Sequence, residues 1–218
     1  VIALAERLVA AGFHVALPSI IGTPGRPVSG GYIAGSALRM CVSREFAAFA
    51  RRADRPIAGF LRALARDVHA ERGGTGVGVI GMCFSGGFAL ATAADDSVLG
   101  PVVSQPAMPP AIGAGRSATG LSPTEESAVR RRAGDGLCAL GLRFTNDRSV
   151  PADRFAAFER LLGEGWRAFE IDSSPGNAAG IPANAHSVLT DASAAVPGHP
   201  TQRANELVVE FLRKRLGG

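Results

Sequence analysis

Cysteine is scarce in this chain. Only Cys41, Cys83 and Cys138 occur in 218 residues. Three such residues make neither a disulfide framework nor a metal-ligand spacing. A reducing, cytoplasmic setting is therefore expected, with no metal centre. Long apolar runs are missing as well. Nothing approaches the roughly 18 consecutive apolar residues that a helical membrane span needs. Clustered positive charge is also absent. The net charge is +4, yet the arginines are dispersed and Lys214 is the only lysine. The one run, Arg130-Arg131-Arg132, falls on an expected helix and reads as a solvated face. A nucleic-acid footprint needs a basic cluster on a recognisable module, so no nucleic-acid partner is expected. An initiator methionine is missing too. Val1 to Val9 has a helical pattern with no capping residue before it, and without the basic front and cleavage segment of a signal peptide. It is expected to be a helix entered in the middle, the chain being a piece of a longer one.

What is present is a pattern of alternation. Short apolar strands are expected at Phe13 to Leu17, Val77 to Ile80, Gly100 to Ser104, Leu137 to Phe144 and Trp166 to Ile171. Helical spacing is read over Val1 to Ala11, Glu45 to Arg52, from Pro56 to the Gly73-Gly74 stop, and from the turn after Ile80 to about Ala94. It returns from Ser122 to Gly134, from Pro151, and over Thr201 to Leu216. Ser122-Pro123-Thr124-Glu125 carries a capping box with proline at the first helical position. Three long loops, Pro18–Arg39, Gln105–Leu121 and Ser173–Pro200, exceed plain connectors and are expected to line a pocket. Strands separated by crossover-length helical stretches predict one α/β domain over residues 1–218. Its sheet is mostly parallel, with helices on both faces.

The most informative stretch is Gly81-Met82-Cys83-Phe84-Ser85-Gly86-Gly87. It joins the strand Val77 to Ile80 to a helix through a tight turn flanked by small residues. Such a turn lifts its apex side chain above the sheet edge and aims neighbouring backbone N–H groups at the same spot. The apex here is Cys83, and Phe84 N–H is the expected oxyanion donor. Ser85 lies on the helical side of the turn, where smallness is the requirement, so it is not the nucleophile. Gly76 to Gly81 matches G-x-G-x-x-G, but its first glycines precede or lie in the strand, so the match is read as accidental.

A nucleophilic thiol needs a base, and the base needs an orienting acid. His186, in the loop after the last strand, is the expected base, with His199 as the fallback. His14 sits in a strand pattern, and His69 in the last turn of a helix where it complements the dipole. Asp147, just after the strand Leu137 to Phe144, is the expected acid. Asp172 and Asp191 are the rivals. Cys138 reads as a small core residue and Cys41 as a buried residue at a loop–helix junction.

With these residues placed, the chain resembles the dienelactone hydrolase family of α/β-hydrolases. The resemblance rests on Gly81 to Gly87, on Asp147 followed by Val150-Pro151, and on Ala185-His186-Ser187. It implies hydrolysis of lactones or other activated esters through an acyl-cysteine intermediate, without metal or organic cofactor. The expected partner is a small-molecule ester or lactone, with no membrane, and the protein is expected to be a monomer. Family members commonly have glycine where Ser85 stands. Well-known members carry an arginine soon after the histidine, where this chain has Ser187-Val188-Leu189-Thr190. Arg44, Arg51 and Arg143 are the candidates to hold a substrate carboxylate instead. The resemblance also implies an earlier strand between those at Phe13 to Leu17 and Val77 to Ile80, supplying a second oxyanion N–H. The 218 residues without it are expected to be unstable or catalytically poor. The competing expectations are a non-catalytic hydrolase-like binding module and a redox-sensing thiol protein.

Overall fold

The structure, a computed structural model, describes residues 1–20 and 56–217. The expected helix Glu45 to Arg52, most of the loop Pro18–Arg39, and Cys41, Arg44 and Arg51 lie outside the described residues. Helix α1 (Ile2–Ala10) comes first, then α2 (Pro56–Arg72), strand β1 (Val77–Met82) and helix α3 (Gly86–Thr92). Strand β2 (Val98–Ser104), helix α4 (Pro123–Gly134), strand β3 (Ala139–Phe144) and helix α5 (Ala152–Leu162) follow. Strand β4 (Trp166–Ile171) and helix α6 (Pro200–Leu216) complete the described elements. The four strands form an all-parallel sheet in the order β1-β2-β3-β4. This is the α/β architecture expected from the alternation.

Period-two alternation along the strands builds two cores. Val77, Val79, Val98, Val103 and Ala139 face a layer that includes Ala65 of α2, Phe88 of α3, Val129 of α4 and Phe158 of α5. Ile80, Met82, Val102, Leu140, Leu142 and Ile171 face the other layer, where Leu4 and Leu8 of α1 meet Val208 and Leu212 of α6. A sheet covered on both faces needs apolar residues on both sides of its strands, which is why these segments read as nearly continuous apolar runs.

The helix boundaries follow local chemistry. Ser122 Oγ accepts from Glu125 N–H at 3.1 Å, and Glu125 returns a carboxylate oxygen to Ser122 N–H at 3.0 Å, so the expected capping box forms. Glu125, 1% exposed, also pairs with Arg62 of α2 at 3.2 Å. Pro200 opens α6, and Gly217 closes it in the left-handed region at φ 74°.

Two expectations are corrected. Phe13 to Leu17 forms no strand: it has no sheet pairing among the described residues. Phe13 and Val15 are half-buried against the core of α1 and α6, while His14, Ala16 and Leu17 are exposed. The alternation is that of a half-buried strand, but a strand also needs a neighbour for its N–H and C=O groups. Phe13, Ala16 and Leu17 line a cavity of about 630 Å³ together with the residues of β1. The second correction is Arg132. Arg130 and Arg131 are exposed as expected, but Arg132 is buried. Its guanidinium donates to the carbonyls of Ala93, Asp95 and Val98, closing the turn between α3 and β2.

Candidate active site

The C-terminal ends of β1, β3 and β4 lead into the loops that carry Cys83, Asp147 and His186. Cys83 begins a short 3-10 turn, Cys83–Ser85, between β1 and α3. Its φ is +54°, which a residue with a Cβ rarely adopts. Such a backbone costs on the order of 1–3 kcal/mol and persists only where the surroundings hold it. They do so here. Ser85 Oγ accepts from Met82 N–H at 3.0 Å and donates to Met82 C=O at 2.9 Å. Ala107 N–H donates to Cys83 C=O at 3.0 Å. The flanking glycines are required by close approach. A Cβ on Gly81 would lie 2.2 Å from Ser85 O, and one on Gly86 would lie 2.6 Å from Pro106 Cα. Ser85 thus fits the turn by bracing it.

Asp147 and His186 meet although 39 residues separate them: Asp147 Oδ2 and His186 Nδ1 are 2.6 Å apart. The other carboxylate oxygen accepts from Ser149 N–H at 2.9 Å. Side chains tie the acid loop to the histidine loop. Asn146 N–H donates to Ser173 Oγ at 3.0 Å, and Asn146 Nδ2 donates to Ala183 C=O at 2.9 Å. Asn177 braces the histidine loop from inside, exchanging hydrogen bonds with Ile181 C=O at 2.7 Å and Ile181 N–H at 2.9 Å.

With Nδ1 engaged by Asp147, Nε2 is the ring nitrogen left for Cys83. The hydrogen bond from His186 is the largest influence on the thiol and holds its pKa below the ordinary 9.0. Partial burial opposes this and Phe84 N–H assists it. His186 is pushed up from 6.5 to about 10, first by the Asp147 hydrogen bond and then by the one with Cys83. Both shifts favour the same charge arrangement, a thiolate beside an imidazolium whose far side rests on a carboxylate.

The rival residues are placed elsewhere. His199 caps α6, its Nδ1 accepting from Thr201 N–H at 3.2 Å. His14 is exposed, and His69 lies in the last turn of α2. Asp172 is exposed at the end of β4 and turns back to Ser174 N–H at 2.8 Å. Asp191 caps a short turn through Ser193 N–H at 2.9 Å. Cys138 is half-buried just before β3. Arg143, a candidate for a substrate carboxylate, has its guanidinium committed inside the protein. It pairs with Glu170, donates to Val150 C=O at 3.0 Å and lies over the Phe155 ring at 5.3 Å. A side chain so engaged and only 5% exposed is a strut between β3, β4 and α5. Among the described residues, no group of three or more His, Cys, Asp or Glu side chains could hold a metal ion. No helix among them is long and apolar enough to cross a membrane.

Sequence reasoning missed Arg154, which is fully buried beside the site. Its signal was positional: it stands four residues before Phe158, on the inward stripe of α5, where a charged residue is out of place.

No family model matches this chain, and no curated protein matches it in sequence. Fold and site together define a class of arrangement: a parallel α/β sheet carrying a strained cysteine turn, with a histidine–carboxylate pair on later strand-end loops.

Proposed function

We propose that the protein hydrolyses lactone or other carboxylic ester bonds through an acyl-cysteine intermediate, with Cys83 as nucleophile, His186 as acid and base, and Asp147 as its orienter. One observation carries the reading. The 2.6 Å Asp147–His186 pair stands against a thiol of lowered pKa at a turn strained to φ +54°. Strain, charge and hydrogen bonding converge on one sulfur atom, as a positioned nucleophile requires. The resemblance of the three motifs to dienelactone hydrolases supports the same chemistry.

The thiolate attacks the ester carbonyl, a C–S bond forms and the carbonyl electrons move to oxygen. Phe84 N–H, which already faces the sulfur, donates to that oxyanion. His186 Nε2–H gives its proton to the leaving alkoxide oxygen as the C–O bond breaks. The imidazole, now neutral, takes a proton from water, and the hydroxide adds to the thioester carbonyl. The C–S bond then breaks, the acid leaves, and the thiolate–imidazolium pair is restored. The substrate is a small molecule, the compartment is reducing and cytoplasmic, and the protein acts as a monomer. The redox-sensor reading has weaker support. Cys138, the other cysteine among the described residues, precedes β3 at the opposite end of the sheet from Cys83. Six strand residues at ~3.3 Å each put the two roughly 20 Å apart.

The test is turnover of p-nitrophenyl esters and simple lactones by the purified protein and by Cys83→Ala and His186→Ala. Both variants should lose turnover while keeping the native circular dichroism spectrum. Undiminished turnover in folded Cys83→Ala would sink the proposal.

A further inference from the structure

Arg154 has no exposed surface, and among the described residues no carboxylate is hydrogen-bonded to its guanidinium. It sits in the first turn of α5, where the helix dipole disfavours a cation. A charge buried under such conditions survives only when fixed dipoles replace water. Four backbone carbonyls do this. Nη1 donates to Pro106 C=O at 2.6 Å and to Ser149 C=O at 3.3 Å. Nη2 donates to Pro109 C=O, and to Gly115 C=O at 2.6 Å. Nε has no partner. Burial lowers the guanidinium pKa from its ordinary value to about 10, and the charge of Asp147 opposes this.

The four carbonyls belong to two loops. Pro106, Pro109 and Gly115 lie in the loop after β2, and Ser149 lies in the acid loop after β3. Each loop touches the chemistry at a clamped residue or the one next to it. Ala107 N–H holds the carbonyl of Cys83 at 3.0 Å. Ser149 N–H holds the carboxylate of Asp147 at 2.9 Å. Pro106 also packs where a Cβ on Gly86 would stand. The guanidinium thus joins the brace of the nucleophile to the brace of the acid.

We infer that Arg154 is a positioning residue, whose planar fork keeps the Cys83 turn and the Asp147 loop in the register that lets His186 ionise the thiol. The inference rests on the reading of Cys83 as nucleophile and goes beyond it by assigning what holds the pair together. Lysine retains the charge but offers three donors from one point, so it cannot span four carbonyls on two loops. A misplacement of about 1 Å at a reacting pair can cost on the order of 100-fold in rate.

The experiment measures the pH dependence of Cys83 alkylation by iodoacetamide alongside ester turnover, for the wild type and Arg154→Lys. Alkylation reports the thiolate without requiring hydrolysis. The charged groups that act on the thiol are His186 and Asp147, and both remain in the variant. Arg154→Lys should move the alkylation midpoint upward, toward that of an ordinary thiol. It should also lower kcat by about 10- to 100-fold with KM little changed. Methylguanidinium added to Arg154→Ala should restore part of the low midpoint. An Arg154→Lys midpoint and kcat equal to the wild type's would overturn the inference. If Arg154→Lys does not fold, Ala107→Pro takes its place. It leaves the clamp intact and removes the N–H that connects it to Cys83, and an unchanged midpoint there would equally refute the inference. A wild-type protein with a low midpoint that rises in the variant, yet with no ester turnover, would retain the positioning role and reject the hydrolase.

Discussion

Replacing Asp147 with asparagine removes one charge and exchanges one oxygen for an amide nitrogen. The consequences can be worked from the site. His186 is raised from 6.5 to about 10, with the Asp147 hydrogen bond as the first cause. At about 1.4 kcal/mol per pKa unit, the whole rise corresponds to roughly 5 kcal/mol. The His186 side chain is 30% exposed and Cys83 carries part of the effect. The share lost with Asp147 is therefore nearer 2 kcal/mol, the usual worth of a charge-assisted hydrogen bond. That is about 30-fold in the ionised-pair population at a given pH. The tautomer adds to this. Ser149 N–H needs an acceptor, so the asparagine oxygen takes the place of Oδ1 and its NH₂ faces His186 Nδ1. The ring is then held with its proton on Nε2, unable to accept the proton of Cys83. A wrongly held tautomer can cost up to the order of 10⁴-fold. The removed charge also acts directly on the thiol in the opposite sense, because Asp147 raises the Cys83 pKa. That influence is the smallest of those on the thiol, and the His186 hydrogen bond is the largest. The loss of the imidazolium therefore wins, and the thiol midpoint rises toward 9.0. Alkylation at a series of pH values gives the midpoint, and steady-state ester turnover gives the rate. A folded Asp147→Asn protein with the wild-type midpoint would refute the account of the site.

Further outcomes follow from the same geometry. In the proposed mechanism, turnover by the wild type requires thiolate and imidazolium together. It should fall as pH drops through the lowered Cys83 pKa and fall again as pH rises through about 10, where His186 loses its proton. Cys83→Gly and Cys83→Ala should both be inactive. Because φ is +54°, the glycine variant should be the more stable by about 1 kcal/mol in urea unfolding, and equal stabilities would deny the strain. Gly86→Ala places a Cβ 2.6 Å from Pro106 Cα, and should lower stability by roughly 1–3 kcal/mol and reduce turnover. Ser85→Ala loses the two Met82 hydrogen bonds and should cost about 1–2 kcal/mol. It should leave Cys83 alkylation intact, and abolished alkylation would make Ser85 more than a brace.

By itself the sequence determined the features whose causes are local. Alternating apolar segments specified the parallel sheet, with Trp166–Ile171 bounded as expected and the other paired strands within two residues of expectation. Ser122 and Glu125 specified a helix start, and the small residues around Cys83 specified a turn that tolerates a strained apex. These depend on neighbours a few positions away, so they can be read in order. Loop position in the chain pointed to His186 and Asp147, but their contact depends on two loops meeting through Asn146, Ser173 and Ala183. Only the tertiary structure decided which arginines are struts, because burial of a guanidinium depends on carbonyls that distant segments deliver. For that reason Arg132 left the solvated face expected of it, Arg143 is engaged as a strut where a substrate-carboxylate role was expected, and the carbonyls that hold Arg154 could not be read from its place on the inward stripe of α5. The same holds for Phe13 to Leu17. An extended apolar segment has strand propensity of its own, but a strand exists only where another edge lies within hydrogen-bonding distance.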